Sequence, residues 1–295
     1  MKKEILKAHI ALIIANIIYA LNYGWAKDVM DGDHVEPFAF ILIRVIGANI
    51  LFWGLAFISF EKVDKKDLVK MMFCGLFGVA ANQLMFFQGL AETSRIHASI
   101  IMVTSPVLVA LLSAFILKEK FTFIRFLGIA LGLSGACFLI TQNSQTESGV
   151  TIRGDLFILM NAASYGLYLV IVKPLMSKYA PLTVIRWVFG FGLLFVIPFG
   201  ITQIDTINFD MPDDIILKIG YVIVFTTFFC YLLNIYGIKK VSPTIVSSYI
   251  YLQPILATLI AVIYNQENID EIMIISSIAV FVGVYLVSIP SSKKT

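Results

Sequence analysis

Long apolar stretches separated by short polar segments run through the whole chain. Each stretch has about the 20 residues that an α-helix needs to cross the hydrocarbon core of a bilayer. The pattern therefore predicts an all-α integral membrane protein with ten transmembrane helices. The ten stretches are His9–Ala26, Phe38–Phe57, Met71–Leu90, Ala98–Leu117, Phe123–Thr141, Leu156–Val172, Leu182–Thr202, Ile219–Ile238, Thr244–Tyr264 and Ile272–Ile289.

Composition supports this class of protein. Of the 295 residues, 59% are hydrophobic and 14% are charged, whereas soluble domains have roughly 25% charged residues. Acidic residues and not a small-residue cleavage site follow the first stretch, so we expect it to stay as a helix rather than to be removed as a signal peptide. The three cysteines lie inside predicted helices without the spacing of a metal site, and we expect neither a metal nor a cofactor.

Lysine and arginine are concentrated on the side of the predicted membrane that holds the N-terminus. The segments 62–70, 118–125 and 173–178 belong to that side, whereas the acidic segments 205–214 and 267–271 fall on the other. The positive-inside rule then places both termini in the cytoplasm of a multi-pass protein of the plasma or inner membrane. The net charge of +3 reflects this sidedness, and we expect the lipid bilayer, not a nucleic acid, as partner.

The second half of the chain reads as a degenerate copy of the first. Residues 1–145 and residues 150–295 hold five stretches each. Because five is odd, the second copy must cross the membrane in the opposite orientation, and such inverted repeats enclose substrate sites near the midplane of the bilayer. At an offset of 148 the aligned pairs are Gly89 and Gly237, Ser94 and Ser242, Ser99 and Ser247, Pro106 and Pro254, Glu119 and Glu267, and Gly135 and Gly283. At an offset of 146, Tyr19, Asn22 and Lys27 align with Tyr165, Tyr168 and Lys173.

These ordered motifs resemble those of ten-span members of the drug/metabolite transporter superfamily, which carry two EamA repeats. The residues that carry the resemblance are Tyr19, Asn22, Lys27 and Arg44, the block from Gly89 through Thr93, Ser94, Ala98, Ser99, Pro106 and Glu119 to Gly128, and its echo from Ser242 through Pro254 to Glu267. The resemblance implies a transporter that exports small metabolites, amino acids or drug-like amphiphiles by alternating access. Four-span relatives dimerise through their last helix, so the resemblance leaves a monomer or a homodimer open.

Polar side chains share a helical face in four equivalent stretches. In hydrocarbon such groups are costly unless they face protein or water, and they could serve simply as hydrogen bonds between helices. Their occurrence at matching levels favours a chamber on the pseudo-two-fold axis that binds a small-molecule substrate. The candidates are Tyr19 and Asn22 in the first stretch, Asn82 and Gln83 in the third, Asn161, Tyr165 and Tyr168 in the sixth, and Tyr231 and Asn234 in the eighth.

Two prolines at equivalent positions predict bends in the fourth and ninth stretches. Proline removes a backbone donor and disturbs the carbonyl four residues earlier, so Pro106 and Pro254 are candidate hinges. Ser105 and Gln253 lie beside them, where they could contact a ligand or the freed carbonyls.

Few charged residues lie near the predicted interior. Arg44 lies roughly 9 Å into its stretch at 1.5 Å per residue, and we expect it to make a structural pair or hydrogen bonds to carbonyls rather than to bind substrate. Glu119 and Glu267 are interfacial charges with a gating role as the alternative. His97 is the candidate titrating group.

The middle of every stretch lacks aspartate and glutamate. We therefore expect a neutral cavity that recognises its substrate by shape, aromatic contact and hydrogen bonds, and this makes anionic cargo less favoured. Nucleotide-sugar or lipid-linked cargo is the alternative within the superfamily. A sensor or lipid-modifying enzyme is the alternative from another class, but the chain has no catalytic motif that would support an enzyme.

Overall fold

A computed structural model describes residues 2–31, 34–56, 61–93, 98, 101–119, 122–143, 151–208, 210–253, 255–256, 259 and 271–289. Within these residues every regular element is helical, and the helices follow the predicted stretches in order. Six helices are long and apolar enough to cross a bilayer by length and composition, and the shorter apolar helices Ser105–Ile116, Phe123–Gly135 and Ser277–Val287 accompany them. The structure is that of an all-α protein built from two inverted five-helix repeats.

We number the helices by span. The first repeat contains α1 (Lys2–Asp31), α2 (Pro37–Ala56), α3 (Lys65–Gly75, continued by Leu76–Ala80 and Ala81–Glu92), α4 (Ser105–Ile116) and α5 (Phe123–Asn143). The second contains α6 (Ile152–Val172), α7 (Pro181–Gly200), α8 (Asp213–Tyr221, continued by Val222–Phe229 and Cys230–Lys240), α9 (Pro243–Ser248, continued by Tyr249–Tyr251) and α10 (Glu271–Ser288).

Local sequence sets several helix starts. The Thr151 side chain accepts a hydrogen bond from the Gly154 backbone N–H at 3.0 Å, and Ser242 caps α9 in the same way. Pro181 and Pro243 occupy first-turn positions, where a missing N–H costs no hydrogen bond. The flanking polar segments therefore supply the caps, and the apolar runs supply the helices.

Polar contacts gather the helix ends at two opposite poles of the bundle. At the pole that holds the N-terminus, Lys240 pairs with Glu4 at 3.2 Å and Tyr179 donates to Asp67 at 2.9 Å. At the opposite pole, the Asn208 backbone N–H donates to the carbonyl of His34 at 3.0 Å. We call these the N-terminal pole and the distal pole. Among the helices with both ends described, α1 to α3 and α6 to α8 run between the two poles in alternating directions.

The two repeats interleave rather than form separate bodies. A Cβ placed on Gly89 of α3 would lie 2.8 Å from Ile158 of α6, and one on Gly237 of α8 would lie 2.7 Å from Leu12 of α1. Gly237 is the repeat equivalent of Gly89, and Ile158 is the equivalent of Leu12. The first helix of each repeat therefore packs on the third helix of the other.

Small residues bring α5 and α10 into close contact. Gly128 lies against the carbonyl of Gly283, and the position of a Cβ on Gly283 would be 2.7 Å from the backbone of both Gly128 and Gly132. Close approach through glycine is the usual way in which membrane helices associate. The small-residue face of α5 is thus used within the chain.

Each repeat contains a π-helical segment in its third helix. The segments are Leu76–Ala80 in α3 and Val222–Phe229 in α8, and they overlap when the repeats are aligned at the offset of 148. A π-helical segment widens the helix and releases carbonyls from their usual i+4 partners. These released carbonyls are placed beside the centre of the bundle.

Candidate functional site: a central cavity between the repeats

A cavity of about 90 Å³ lies at the centre of the bundle, where helices of both repeats meet. A buried water needs roughly 10–15 Å³ of such space, so the cavity has room for about six to nine non-hydrogen atoms. It is lined by Asn16, Tyr19, Asn22, Arg44, Asn82, Gln83, Phe86, Phe87, Met102, Asn161, Tyr165, Thr226, Tyr231, Asn234, Val246, Ile250 and Gln253.

Tyr231 joins the two repeats at the cavity wall. Its hydroxyl donates to the carbonyl of Gly78 at 2.8 Å and accepts from Nε2 of Gln83 at 3.2 Å. Gly78 lies in the π-helical segment of α3, and the Ser164 hydroxyl donates to the neighbouring carbonyl of Phe77 at 2.7 Å. Side chains of the second repeat therefore satisfy the carbonyls that the π-helical segment releases.

Arg44 reaches the cavity from α2. Its Nε and Nη2 atoms donate to the Thr227 hydroxyl at 3.1 and 3.0 Å, and that hydroxyl donates to the carbonyl of Val222 at 2.7 Å. The guanidinium carbon lies 4.5 Å from the centre of the Phe87 ring, a cation–π contact. The π-helical segment of α8 thus holds the hydroxyl that orients the arginine.

Amide side chains fix the walls on the remaining sides. Asn161 donates to the carbonyl of Asn82 at 2.6 Å, and Asn234 donates to the Tyr19 hydroxyl at 3.2 Å. Hydrogen bonds across the cavity rim therefore connect α6 to α3 and α8 to α1.

A further amide pair connects α9 to α1. Nε2 of Gln253 donates to Oδ1 of Asn16 at 2.9 Å, and Nδ2 of Asn16 donates to the carbonyl of Leu12 at 2.8 Å. Asn16 lies one helical turn before Tyr19 in α1, and it lines the cavity as well.

Several polar atoms of the lining have no hydrogen-bond partner in the structure although they are buried. They are Oδ1 of Asn22, Nη1 of Arg44, Oε1 of Gln83, Oδ1 of Asn161 and Oγ1 of Thr226. A buried polar group without a partner costs roughly 1–3 kcal/mol. The cavity therefore presents to its occupant three amide oxygens that can accept, one hydroxyl that can donate or accept, and one cationic donor.

Arg44 is the only charged side chain among the described residues that line the cavity. Arg44 is 3% exposed and makes no ion pair within the described part of the chain. An unpaired arginine at mid-membrane costs about 3 kcal/mol on an insertion scale. The cavity wall therefore carries one charged side chain where the sequence predicted a neutral lining, and this side chain bonds to the Thr227 hydroxyl and not to a carbonyl or an acid of the described residues. Its structural role stays a prediction.

Comparison with known proteins connects this architecture to a family. The family described as "EamA-like transporter family" matches residues 6–141 and 152–289, one range in each predicted repeat. The chain belongs to this family. It is a multi-pass membrane transporter and not an enzyme, as the resemblance of its motifs implied.

Individual relatives agree with this membership. The chain is 25% identical over 288 residues to an uncharacterized transporter of Archaeoglobus fulgidus, covering 95% of this chain and 96% of the relative. It is 24% identical to the uncharacterized transporter YetK of Bacillus subtilis, covering 96% of this chain and 87% of that one. A solved crystal structure with 16% identity superposes with a TM-score of 0.75 over 97% of both chains, and therefore has the same fold.

Nine of the predicted cavity residues line the cavity of this EamA protein, and their part in binding substrate stays a prediction. Two others do not reach it. The Ser105 hydroxyl is fully buried and has no hydrogen-bond partner in the structure. The ring of Tyr168 lies against the backbone of Gly78 in the π-helical segment. Tyr168 therefore packs against protein and not against the cavity.

The proline and acid predictions have mixed outcomes. Pro106 stands in the first turn of α4, directly after a turn at Val103 and Thr104 that interrupts the helix; its hinge role stays a prediction. Oε2 of Glu119 accepts from Thr244 of α9 at 3.1 Å and from Arg125 at 3.4 Å, so it joins the two repeats at the N-terminal pole. The candidates His97, Pro254 and Glu267 lie outside the described residues.

Sequence reasoning missed the apolar part of the lining. Phe86 and Phe87 of α3, Met102, and Val246 and Ile250 of α9 line the cavity. Nothing in an apolar stretch separates such residues from those that face lipid. Thr226 was also missed. It lies in the π-helical segment Val222–Phe229, where the α-helical period does not show which residues face the cavity.

The described residues contain no group of three or more histidine, cysteine, aspartate or glutamate side chains that could hold a metal ion. Cys74 and Cys230 are buried, and Cys137 is partly buried.

Proposed function

We propose that this EamA-family protein exports small polar or amphipathic metabolites, amino acids or drug-like amphiphiles by alternating access through the central cavity. The observation that carries the proposal is the cavity itself, which lies between the inverted repeats and combines free hydrogen-bonding atoms with aromatic side chains. Inverted repeats that share a midplane site are the architecture of secondary transporters. The protein would work in the plasma or inner membrane with both termini in the cytoplasm, as a monomer or a homodimer.

Hydrogen bonds at each pole hold neighbouring helices together, and they must break before a substrate can reach the cavity from that side. At the distal pole Thr93 donates to Asp155 at 2.6 Å, and Thr151 donates to the carbonyl of Glu92 at 2.9 Å. At the N-terminal pole Lys173 donates to the carbonyl of Val241 at 2.6 Å. Because the repeats interleave, the moving bodies would be groups of helices from both repeats and not residues 1–145 against residues 150–295.

The size of the cavity favours small cargo. About 90 Å³ is little space for a nucleotide sugar or a lipid-linked molecule, since established ligand pockets occupy roughly 300–1,000 Å³. We therefore favour small metabolites and amino acids over drug-like amphiphiles, and we place nucleotide-sugar and lipid-linked cargo second.

A transport panel in proteoliposomes tests the proposal. Amino acids, organic acids, aromatic metabolites and cationic dyes are offered with and without a proton gradient. Asn22→Ala, Tyr165→Ala and Gln253→Ala should each reduce transport of the identified substrate at least tenfold without loss of membrane insertion. The matched control Tyr285→Ala alters a tyrosine that is 69% exposed on α10, and it should retain full activity. Full activity in all three cavity variants would contradict the proposal.

A further inference from the structure

We propose that the substrate is a small carboxylate-bearing molecule with an adjacent N–H or O–H donor, and that Arg44 binds its carboxylate. This inference rests on the proposed function and names the substrate class of the same cavity. Arg44 supplies the positive charge that binds the carboxylate, and the amide oxygens accept hydrogen bonds from the donor group of the ligand.

The charge of the cavity wall selects the sign of the ligand. Arg44 is buried, and among the described residues of the lining there is no acid to neutralise it. Coulomb attraction is strong where water is excluded. A carboxylate entering the cavity therefore neutralises an otherwise uncompensated charge, whereas a cation meets repulsion.

The orientation of Arg44 leaves one nitrogen for the ligand. Thr227 accepts from both Nε and Nη2, and the ring of Phe87 covers the guanidinium at 4.5 Å from its central carbon. Nη1 has no hydrogen-bond partner in the structure. A hydrogen bond from this nitrogen to a carboxylate would be charge-assisted, which makes it stronger than one between neutral groups.

Three acceptors complete the recognition pattern. Oδ1 of Asn22, Oε1 of Gln83 and Oδ1 of Asn161 line the same cavity, are buried and have no hydrogen-bond partner in the structure. Acceptors need donors, so the ligand should present an ammonium or hydroxyl group near its carboxylate. Both 2-amino acids and 2-hydroxy acids have this chemistry, and the aromatic and apolar lining receives the remaining carbons.

Matched ligands test the proposal on the purified full-length protein. Thermal unfolding in detergent is measured against rising concentrations of L-valine, 2-hydroxyisovalerate, isovalerate and L-valinamide, with sodium chloride as the ionic-strength control. L-Valine and 2-hydroxyisovalerate should bind about 10- to 100-fold more tightly than L-valinamide, which lacks the carboxylate. Isovalerate, which lacks the donor, should bind with intermediate affinity.

Variants then assign the effect to one residue. Arg44→Gln should abolish the difference between L-valine and L-valinamide, while Arg44→Lys should retain part of it because the charge remains. Arg153→Gln is the matched control, since that arginine lies outside the cavity at the distal pole, where it is 72% exposed and pairs with Glu92 at 3.5 Å. It should keep the difference in affinity between L-valine and L-valinamide. The proposal is overturned if neither acid with a donor binds more tightly than L-valinamide, or if Arg44→Gln keeps the full discrimination.

Failure of this proposal can be told apart from failure of the proposed function. Suppose that the protein in proteoliposomes transports cations or neutral molecules and that Gln253→Ala stops this transport. The carboxylate proposal is then wrong, while the proposed transport through the cavity is supported. If the cavity variants leave transport unchanged, the proposed function itself is wrong.

Discussion

Gln83 and Tyr231 occupy the same position in the two repeats, and they hydrogen-bond to each other. They are separated by 148 residues, the offset that aligns the repeats, and Nε2 of Gln83 lies 3.2 Å from the Tyr231 hydroxyl. A contact between symmetry-equivalent residues must lie on the two-fold axis that relates them. Both residues line the cavity, so the cavity lies on the pseudo-two-fold axis.

Removing the Tyr231 hydroxyl should weaken this axial contact. Tyr231→Phe leaves the Gly78 carbonyl and the Gln83 amide without their shared partner, and we expect a loss of about 1–3 kcal/mol in unfolding free energy. We also expect slower transport, because the contact joins the two repeats. Thermal unfolding in detergent and transport in proteoliposomes provide the two readouts.

A double-mutant cycle separates the pair from its surroundings. Gln83→Leu is combined with Tyr231→Phe, and the two effects should be less than additive if the bond couples the residues. Tyr285→Phe, on the exposed face of α10, controls for loss of a hydroxyl. Strict additivity would show that the contact contributes nothing of its own.

Gly78 should tolerate no side chain while Tyr168 is present. A Cβ at this position would overlap the Tyr168 ring, and overpacking of this kind costs typically 1–3 kcal/mol. Gly78→Ala should therefore lower the melting temperature, and adding Tyr168→Leu should restore part of the loss. Gly24→Ala is the matched control, since a Cβ there would have nothing within 4 Å; a Gly78→Ala protein as stable as this control would refute the packing account.

The sidedness of the loops follows from the charge distribution. In a background without native cysteines, Lys66→Cys and Lys178→Cys at the N-terminal pole should react with a membrane-impermeant thiol reagent only from the cytoplasmic side. Asp213→Cys at the distal pole should react only from outside. The three native side chains are exposed. Labelling of Lys66→Cys and Asp213→Cys from the same side would disprove the inverted topology.

The helices and the repeat could be predicted because a helix that crosses a bilayer must be apolar along its length. Apolar runs mark the spans, and aligned glycines such as Gly89 and Gly237 mark the close contacts between α3 and α6 and between α8 and α1. The polar residues of the cavity were visible for the same reason, since a polar side chain in hydrocarbon must face protein or water.

The remaining features depend on tertiary structure. The π-helical segment at Val222–Phe229 changes the helical register, so Thr226 lines the cavity while Thr227 bonds to Arg44. A residue pattern based on the α-helical period could not show this. Nor could an apolar sequence show that Phe87 would face Arg44 and not lipid, because both environments favour the same residue types.

Accessibility of one cavity position from both sides of the membrane tests the central claim most directly. In a background in which Cys74, Cys137 and Cys230 are replaced, Gln253→Cys places a thiol on the cavity wall, and Ser113→Cys places a control thiol at a fully buried position outside the lining. We predict that a membrane-impermeant thiol reagent modifies Gln253→Cys from the cytoplasmic side and, in separate vesicles, from the outside, while Ser113→Cys stays unmodified. Reaction of Gln253→Cys from one side only, or from neither, would contradict alternating access through this cavity.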